Sequence, residues 1–153
     1  MHPAIENFQK HTNEFLDAVA LFADRERSIS INDEWSAAFI IHHVSDGELH
    51  FAARYLHTLG TDNPTMIYFD EDKYPDALHY NSRSVSKSLA SIAGIRAMVL
   101  EILTAIPEDS WTRTTTTVDG NVYTLTQLVE TADSHLTSHT EQLISLKSQI
   151  QLS

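Results

Sequence analysis

The sequence contains no cysteine, and only four glycines and four prolines, among its 153 residues. Without cysteine the chain can form no disulfide, no thiolate metal site and no cysteine nucleophile, so a thiol in its chemistry would have to come from a second molecule. Basic residues are also few, because 10 Lys and Arg stand against 21 Asp and Glu, a formal net charge of −11. An acidic surface repels phosphate backbones, which argues against nucleic acid as the main ligand.

The chain also lacks the long apolar run that a signal peptide or a membrane span needs. Its N-terminal segment is interrupted by Glu6, Lys10 and Glu14. We therefore expect neither a secretory leader nor a membrane segment, and we place the protein in the cytoplasm. The 42% content of hydrophobic residues is ordinary for a globular protein and predicts a single folded domain over residues 1–153.

Apolar residues recur every three or four positions in four stretches, which is the period of amphipathic helices. Ser36 and Thr124 are the expected N-caps of the second and fourth helices, and Thr124 pairs with Gln127 in a capping box. Gly60 and Pro107 supply stop signals for the second and third helices. The predicted helices cover approximately residues 3–24, 36–59, 83–106 and 124 to the C-terminus.

Two segments between these helices carry other signals. Residues 60–82 show no sustained period, so we predict a long loop that crosses the end of a bundle or serves the function. Residues 111–123 combine β-branched residues with an Asp-Gly-Asn turn, which predicts a short hairpin before the last helix. Four long helices with little strand indicate an all-α protein, a four-helix bundle. The long loop leaves both up-down-up-down and up-down-down-up topologies open.

Histidine is unusually abundant, with nine residues, and it is the commonest metal ligand in proteins. His135 and His139 lie four residues apart in the apolar stripe of the last predicted helix, so both rings project from one side. In the second predicted helix the apolar line favours His43 as the inward residue, and we assign its neighbour His42 to the solvated flank. His50 is interpreted as a polar residue at the core edge, or as a residue at the far end of a pocket.

An inward histidine on a facing helix, joined to a pair spaced by four, is the arrangement of a three-histidine metal centre. The predicted ligands are His43, His135 and His139, and all-nitrogen ligation favours Zn²⁺, Ni²⁺ or Fe²⁺ over Ca²⁺ or Mg²⁺. The alternative is a set of core or rim histidines bonded to backbone or water, without metal. The remaining histidines are interpreted as surface residues: His2, His11, His57 and His79.

Charged and aromatic residues complete the candidate site. Asp46, one turn beyond His43, is a candidate catalytic acid of the pocket or an acceptor for a ligand imidazole, and otherwise an exposed helix carboxylate. Arg83 or Arg96 could bind a substrate carboxylate, or each could form an ordinary ion pair. Three tyrosines of the long loop could line a lid or simply pack: Tyr68, Tyr74 and Tyr80.

Two segments of the chain resemble the DinB/YfiT-like family. The spacing of a tryptophan, a histidine and an aspartate on the second predicted helix resembles one motif of that family, and the entry to the last helix with its His-x₃-His resembles another. The resemblance extends from Trp35 to the C-terminus. The matching positions are Trp35, His43, Gly120, Thr124, Leu125, His135 and His139.

This resemblance implies a four-helix bundle with a divalent metal ion, often nickel or zinc, held by His43, His135 and His139. Several relatives use low-molecular-weight thiols, among them mycothiol-dependent isomerases and proposed bacillithiol transferases, and many crystallise as dimers. We therefore predict a metal-dependent enzyme of the thiol-dependent transferase or hydrolase type that acts on a small molecule. The alternatives are a non-catalytic metal-binding or sensor bundle, and a structural bundle without bound metal. A homodimer could form through a second apolar strip on the second helix, made by Ile41, Val44 and Ala52.

Overall fold

The computed structural model describes residues 2–153 and confirms an all-α bundle with a small accessory sheet. The four long helices are α1 (Pro3–Ala20), α2 (Ala37–Gly60), α4 (Val85–Ala105) and α5 (Leu125–Leu152). A short helix, α3 (Tyr74–Ala77), lies in the long connection, and 3₁₀ turns occur at Asp24–Glu26, Glu71–Lys73 and Glu108–Thr112.

The helix ends follow the capping signals of the sequence. The Ser36 hydroxyl accepts a hydrogen bond from the Phe39 amide, and Thr124 and Gln127 form the predicted capping box at the start of α5. Ser84 caps α4, so this helix begins at Val85, two residues later than expected. The first helix ends at Ala20, earlier than expected, and a 3₁₀ turn follows at Asp24–Glu26.

The bundle has up-down-down-up topology. One buried cluster joins Phe8 near the start of α1 and Leu128 near the start of α5 with Tyr55 and Leu103 near the ends of α2 and α4. The second cluster joins the opposite ends of the same helices, through Phe15, Ile40, Ile92 and Leu143. The α1 and α5 helices therefore run one way, and α2 and α4 run the other.

This topology determines the course of the long connection, residues 61–84. Since α2 and α4 run in the same direction, the connection must return along the length of the bundle. It begins with strand β1 (Thr65–Met66), which pairs in parallel with β2 (Thr114–Thr117). The predicted hairpin is confirmed, because β2 pairs in antiparallel fashion with β3 (Val122–Thr124). Strand β1 has no periodic signal and was not expected from the sequence.

The apolar strip on α2 lies inside the molecule. Ile41 and Val44 are fully buried and Ala52 is nearly so, because α2 contacts α4 on one side and α5 on the other. The expectation that this strip is free to bind a second subunit is therefore wrong.

Helix α4 is more apolar than the sequence analysis allowed. By length and composition it could cross a membrane, with a mean hydropathy of 1.5 over its most apolar 18 residues. The expectation that no segment is long and apolar enough for a membrane span does not hold for α4. Here α4 packs against α1 and α2 as one of the four helices of the bundle.

Candidate metal centre

The structure brings His43, His135 and His139 together between α2 and α5. Nε2 of His43 lies 2.9 Å from Nε2 of His135, which in turn lies 3.2 Å from Nε2 of His139. One nitrogen from each ring fits within a group whose members are all within 4.8 Å of one another. Helical periodicity alone predicted this trio, because all three residues share the apolar stripes of two facing helices.

A glycine on α2 makes room for this approach. Gly47 lies one turn after His43, and a Cβ atom built at Gly47 would stand 3.3 Å from Cε1 of His135. Few Cβ contacts in proteins are so close, so a larger residue would press on the imidazole. The absence of a side chain at Gly47 therefore lets the His135 ring lie against α2.

Two of the nitrogen–nitrogen separations match those found around a transition-metal ion. A tetrahedral ion with metal–nitrogen distances of about 2.0–2.1 Å holds its ligand nitrogens about 3.3 Å apart. The observed separations of 2.9 and 3.2 Å are close to this value. Three imidazoles would leave a fourth position open, which is the arrangement of catalytic rather than structural sites.

Burial keeps the three rings in the neutral state that binds metal. Burial, followed by the neighbouring imidazoles, lowers the pKa of His43 to about 4 and that of His135 to about 3. Burial also lowers the pKa of His139. All three rings are therefore uncharged at neutral pH, the state in which an imidazole can offer a ring nitrogen to a cation.

The surroundings of the ring nitrogens differ between His139 and His135. The Nδ1–H of His139 donates to Oε1 of Gln142 at 2.8 Å, which leaves its Nε2 free as a ligand. Nδ1 of His135 is buried and has no hydrogen-bond partner among residues 2–153. The Trp35 ring packs 5.1 Å from the His43 ring and the Phe51 ring 5.5 Å from the His135 ring. These apolar walls limit the access of water to the nitrogens.

A carboxylate of the long connection also reaches the site. Oε2 of Glu71 lies 3.9 Å from Nε2 of His43, and the side chain is 46% exposed. Burial, followed by repulsion from Asp72, raises the pKa of Glu71. Glu71 is not predicted from the sequence, because it lies in a segment with no period and its position depends on the up-down-down-up topology.

Asp46 is buried and binds two residues near the start of α4. Its carboxylate accepts two hydrogen bonds from the Arg83 guanidinium, at 2.6 and 2.8 Å, and one from the Tyr80 hydroxyl at 2.7 Å. Burial and these contacts with Asp46 raise the pKa of Tyr80. The alternative of an exposed helix carboxylate is wrong, since Asp46 is 6% exposed. The ion-pair alternative for Arg83 is confirmed.

Arg96 forms an ion-pair network inside the bundle. Its guanidinium donates to Glu48 on α2 and to Asp133 on α5, both at 2.9 Å. Nδ1 of His11 lies 2.7 Å from the other oxygen of Asp133, so His11 is part of this network rather than a plain surface residue. The ion-pair alternative for Arg96 is confirmed.

Two further histidines on α2 are held by hydrogen bonds. His42 is fully buried, and its Nδ1 lies 2.8 Å from the Ser88 hydroxyl on α4. Its assignment to the solvated flank is wrong, because α4 covers that side of α2. His50 occupies the core edge, as predicted, where it binds the Tyr74 hydroxyl at 2.8 Å and stacks on Phe69.

The remaining loop and surface residues have simpler surroundings. His57 and His79 are exposed, as predicted, and His2 stacks on Trp111 with 3.9 Å between ring centroids. Tyr80 is buried, whereas Tyr68 is 80% exposed.

Comparison with known families gives one match. The family model described as the DinB superfamily matches residues 7–143. No protein with a curated description matches the sequence.

The fold is shared with solved structures of low sequence identity. One is YfiT from Bacillus subtilis, described as a probable metal-dependent hydrolase with an unusual four-helix bundle topology; it has a TM-score of 0.85 and 17% identity over 97% of this chain and 86% of that chain. Another is a mycothiol-dependent maleylpyruvate isomerase, with a TM-score of 0.75 and 13% identity over 92% of this chain and 59% of that chain. At such identities the likeness shows a common fold alone.

Proposed function

This chain belongs to the DinB superfamily, and we propose that it is a metal-dependent enzyme of the thiol-dependent transferase or hydrolase type that acts on a small molecule. The convergence of the three Nε2 atoms of His43, His135 and His139 carries this proposal. Burying three polar rings is costly unless each finds a partner. A bundle that needed only stability would place apolar residues there.

Zn²⁺ or Ni²⁺ suits this all-nitrogen donor set best. Such an ion, bound with an open position, supplies Lewis acidity that lowers the pKa of a water or thiol by several units. The chain's own residues then have to hold the ion, exclude bulk water and receive a proton. The alternative of a non-catalytic metal-binding or sensor bundle shares the first two tasks and lacks the third.

Glu71 is the proposed proton acceptor. Its carboxylate lies 3.9 Å from Nε2 of His43, within reach of a group bound beside that imidazole. The raised pKa of Glu71 brings it closer to neutrality, where a carboxylate can both accept and return a proton. Only an enzyme needs a residue that transfers a proton, so this role of Glu71 distinguishes the enzyme from the non-catalytic sensor.

Asp46 is the candidate that acts indirectly, through the residues that it binds. Its hydrogen bonds with Arg83 and Tyr80 fasten the end of the long connection to α2. We propose that Asp46 thereby positions this connection, which carries Glu71, over the three histidines.

A thiol cosubstrate would have to be a separate molecule, because the chain has no cysteine. The mycothiol dependence of an isomerase with the same fold supports this form of the proposal. Mycothiol, bacillithiol and glutathione are therefore the thiols to test. A homodimer also remains a prediction, although the α2 strip is buried and cannot mediate it.

Metal content and thiol consumption together test the proposal. Protein purified without a His tag should retain about one equivalent of transition metal. His139→Ala should lose the metal, whereas the matched variant His42→Ala, on the same α2 helix as His43 but turned toward α4, should retain it. Failure of the wild-type protein to bind metal would leave the purely structural bundle as the explanation.

Activity then separates the enzyme from the sensor. The metal-loaded protein should consume a thiol in the presence of an electrophilic test substrate, or hydrolyse an activated ester or amide. Glu71→Gln should keep the metal and lower the rate, because only proton transfer is removed. A protein that is fully loaded with metal but inactive in both assays would favour the sensor.

A further inference from the structure

A cavity of about 220 Å³ opens beside α2, beyond the metal centre. Its lining includes Arg54 and His57 from α2, Met66 and Ile67 from the long connection, and Thr115 from β2. None of its lining residues is acidic, although the whole chain carries a net charge of −11. The cavity therefore combines apolar walls with one permanent positive charge, that of Arg54.

Arg54 differs from most of the other arginines because it forms no ion pair within the part of the chain that the structure describes. Its guanidinium donates one long hydrogen bond, 3.4 Å, to the Ile67 carbonyl. Burial lowers the pKa of Arg54, so this cation is partly removed from water without a carboxylate in contact. Four other arginines pair with acids: Arg27 with Asp24, Arg83 with Asp46, Arg96 with Glu48 and Arg113 with Asp62.

Two aromatic rings hold the Arg54 guanidinium in place. Its central carbon lies 5.0 Å from the centre of the Phe69 ring and 5.6 Å from that of Phe51. Stacking on aromatic faces fixes the planar fork of an arginine and leaves its N–H groups pointing outward. A fork held in this way is suited to a carboxylate, which accepts two parallel hydrogen bonds.

The cavity and the metal centre share one side of α2. His43 and Arg54 are separated by eleven residues, just over three turns, so they lie on the same face about 16 Å apart along the axis. Phe51 links the two places, because its ring packs both against His135 and beneath Arg54. Glu71 is near both places, because its Oε2 lies 3.9 Å from Nε2 of His43 and its charge raises the pKa of Arg54.

From this arrangement we infer that the Arg54 cavity binds the carboxylate of an elongated small molecule whose other part reaches the three histidines. The inference rests on the proposed function and adds the class of ligand, an organic carboxylate. The carboxylate could belong to the substrate or to a thiol cosubstrate, since the same arginine fork would bind either.

Calorimetric titration with succinate tests the cavity by itself. Succinate should bind to the wild-type protein, and succinamide, which has similar size and no charge, should bind at least about tenfold more weakly. Arg54→Gln should lower the affinity for succinate by about tenfold or more while keeping metal content and helical signal. Arg25→Gln is the matched control, because it removes the same charge from an exposed arginine outside the cavity.

Other outcomes are equally decisive. Equal affinity for succinate in the wild type and Arg54→Gln, or equal affinity for succinate and succinamide, would overturn the inference. If Arg54→Gln fails to fold, Arg54→Lys keeps the charge and loses the fork, and it should still bind succinate more weakly than the wild type.

The two proposals fail in distinguishable ways. A protein that binds succinate through Arg54 but no metal would refute the proposed function and keep the carboxylate site. A protein that binds metal but not succinate would refute the carboxylate site alone. Glutathione and its diethyl ester then identify the source of the carboxylate, because a preference for the free acid that Arg54→Gln abolishes assigns it to a thiol cosubstrate. No such preference, with succinate still bound through Arg54, assigns it to the substrate.

Discussion

His135 is the most constrained of the three candidate ligands. It lies between the other two imidazoles, its Nδ1 has no partner among residues 2–153, and Gly47 gives it space on α2. His139 is different, because Gln142 orients its ring in the absence of metal. Substitutions that touch the His135 ring should therefore lower metal affinity more than substitutions beside the other two histidines.

Gly47→Ala tests this constraint. The new Cβ would stand 3.3 Å from Cε1 of His135, so the ring must move and metal affinity should fall. Gly94→Ala is the matched control, since a Cβ at that exposed position on α4 meets nothing within 4 Å. Replacing glycine by alanine in an open helix position should stabilise the protein by up to about 1 kcal/mol. Unchanged metal affinity in Gly47→Ala would contradict the proposed role of this glycine.

The pH dependence of stability follows from the lowered pKa values. In the metal-free protein, His43 and His135 have pKa values of about 4 and about 3, below the ordinary value of 6.5. Between these values and 6.5 the unfolded chain binds more protons than the folded one, so stability rises with pH. The contribution of these two histidines to the free energy of unfolding should therefore be complete above pH 6.5 and decrease as the pH falls toward 4.

Urea denaturation of metal-free protein at a series of pH values measures this slope. His135→Asn should flatten it, because one group that resists protonation in the folded state is removed. An equal slope in the variant and the wild type would show that His135 is not the source of the pH dependence.

At the scale of elements, the long connection between α2 and α4 depends on a few tertiary contacts. Its end is fastened by Asp46, Arg83 and Tyr80, and the turn that carries Glu71 lies between its two ends. Asp46→Asn removes the charge that holds Arg83, so backbone amides near residues 74–83 should exchange hydrogen faster while the metal is retained.

Asp62→Asn is the control for this exchange experiment, because the Arg113–Asp62 pair is exposed at the aspartate and contributes little. If exchange in residues 74–83 is the same in Asp46→Asn as in the wild type, Asp46 does not hold the connection.

The long helices and their caps could be predicted from the sequence, but the connection could not. A period of 3.6 residues is a local property, so it placed His43, His135 and His139 on inward faces before any tertiary contact was known. Residues 61–84 have no such period, and the positions of Glu71 and of the Arg54 cavity follow from the return path along the bundle. His42 was misplaced for a related reason, because its surroundings depend on which helix packs beside α2.

At the scale of the whole molecule, the Arg96 network connects all four long helices. The Arg96 side chain on α4 donates to Glu48 of α2, to Asp133 of α5 and to the Phe8 carbonyl of α1. Burial raises the pKa of Glu48, and the nearby Arg96 opposes this by favouring the charged form. Arg96 is therefore the counter-ion of both buried carboxylates, Glu48 and Asp133.

Arg96→Ala would leave two buried carboxylates without their cation, so we expect a loss of about 3–5 kcal/mol in the free energy of unfolding. Lys10→Ala is the control, because it breaks an exposed pair with Glu14 on α1 and should cost at most about 0.5 kcal/mol. Urea unfolding curves measure both changes. A loss below about 1 kcal/mol in Arg96→Ala would mean that the network is not what joins the helices.

The up-down-down-up topology also determines what covers the candidate site. Helices α2 and α5 supply the three histidines, and the returning connection covers them with a few side chains instead of a fifth helix. The ligand that we infer would lie along α2 between the Arg54 cavity and the three histidines, beside Phe51 and Glu71.

Anomalous X-ray diffraction from crystals of tag-free protein, recorded at the zinc and nickel absorption edges, tests the central claim most directly. We expect one anomalous peak per chain, about 2.0–2.1 Å from Nε2 of His43, His135 and His139. No peak after soaking with Zn²⁺ or Ni²⁺, or a peak bound only by other residues, would contradict it.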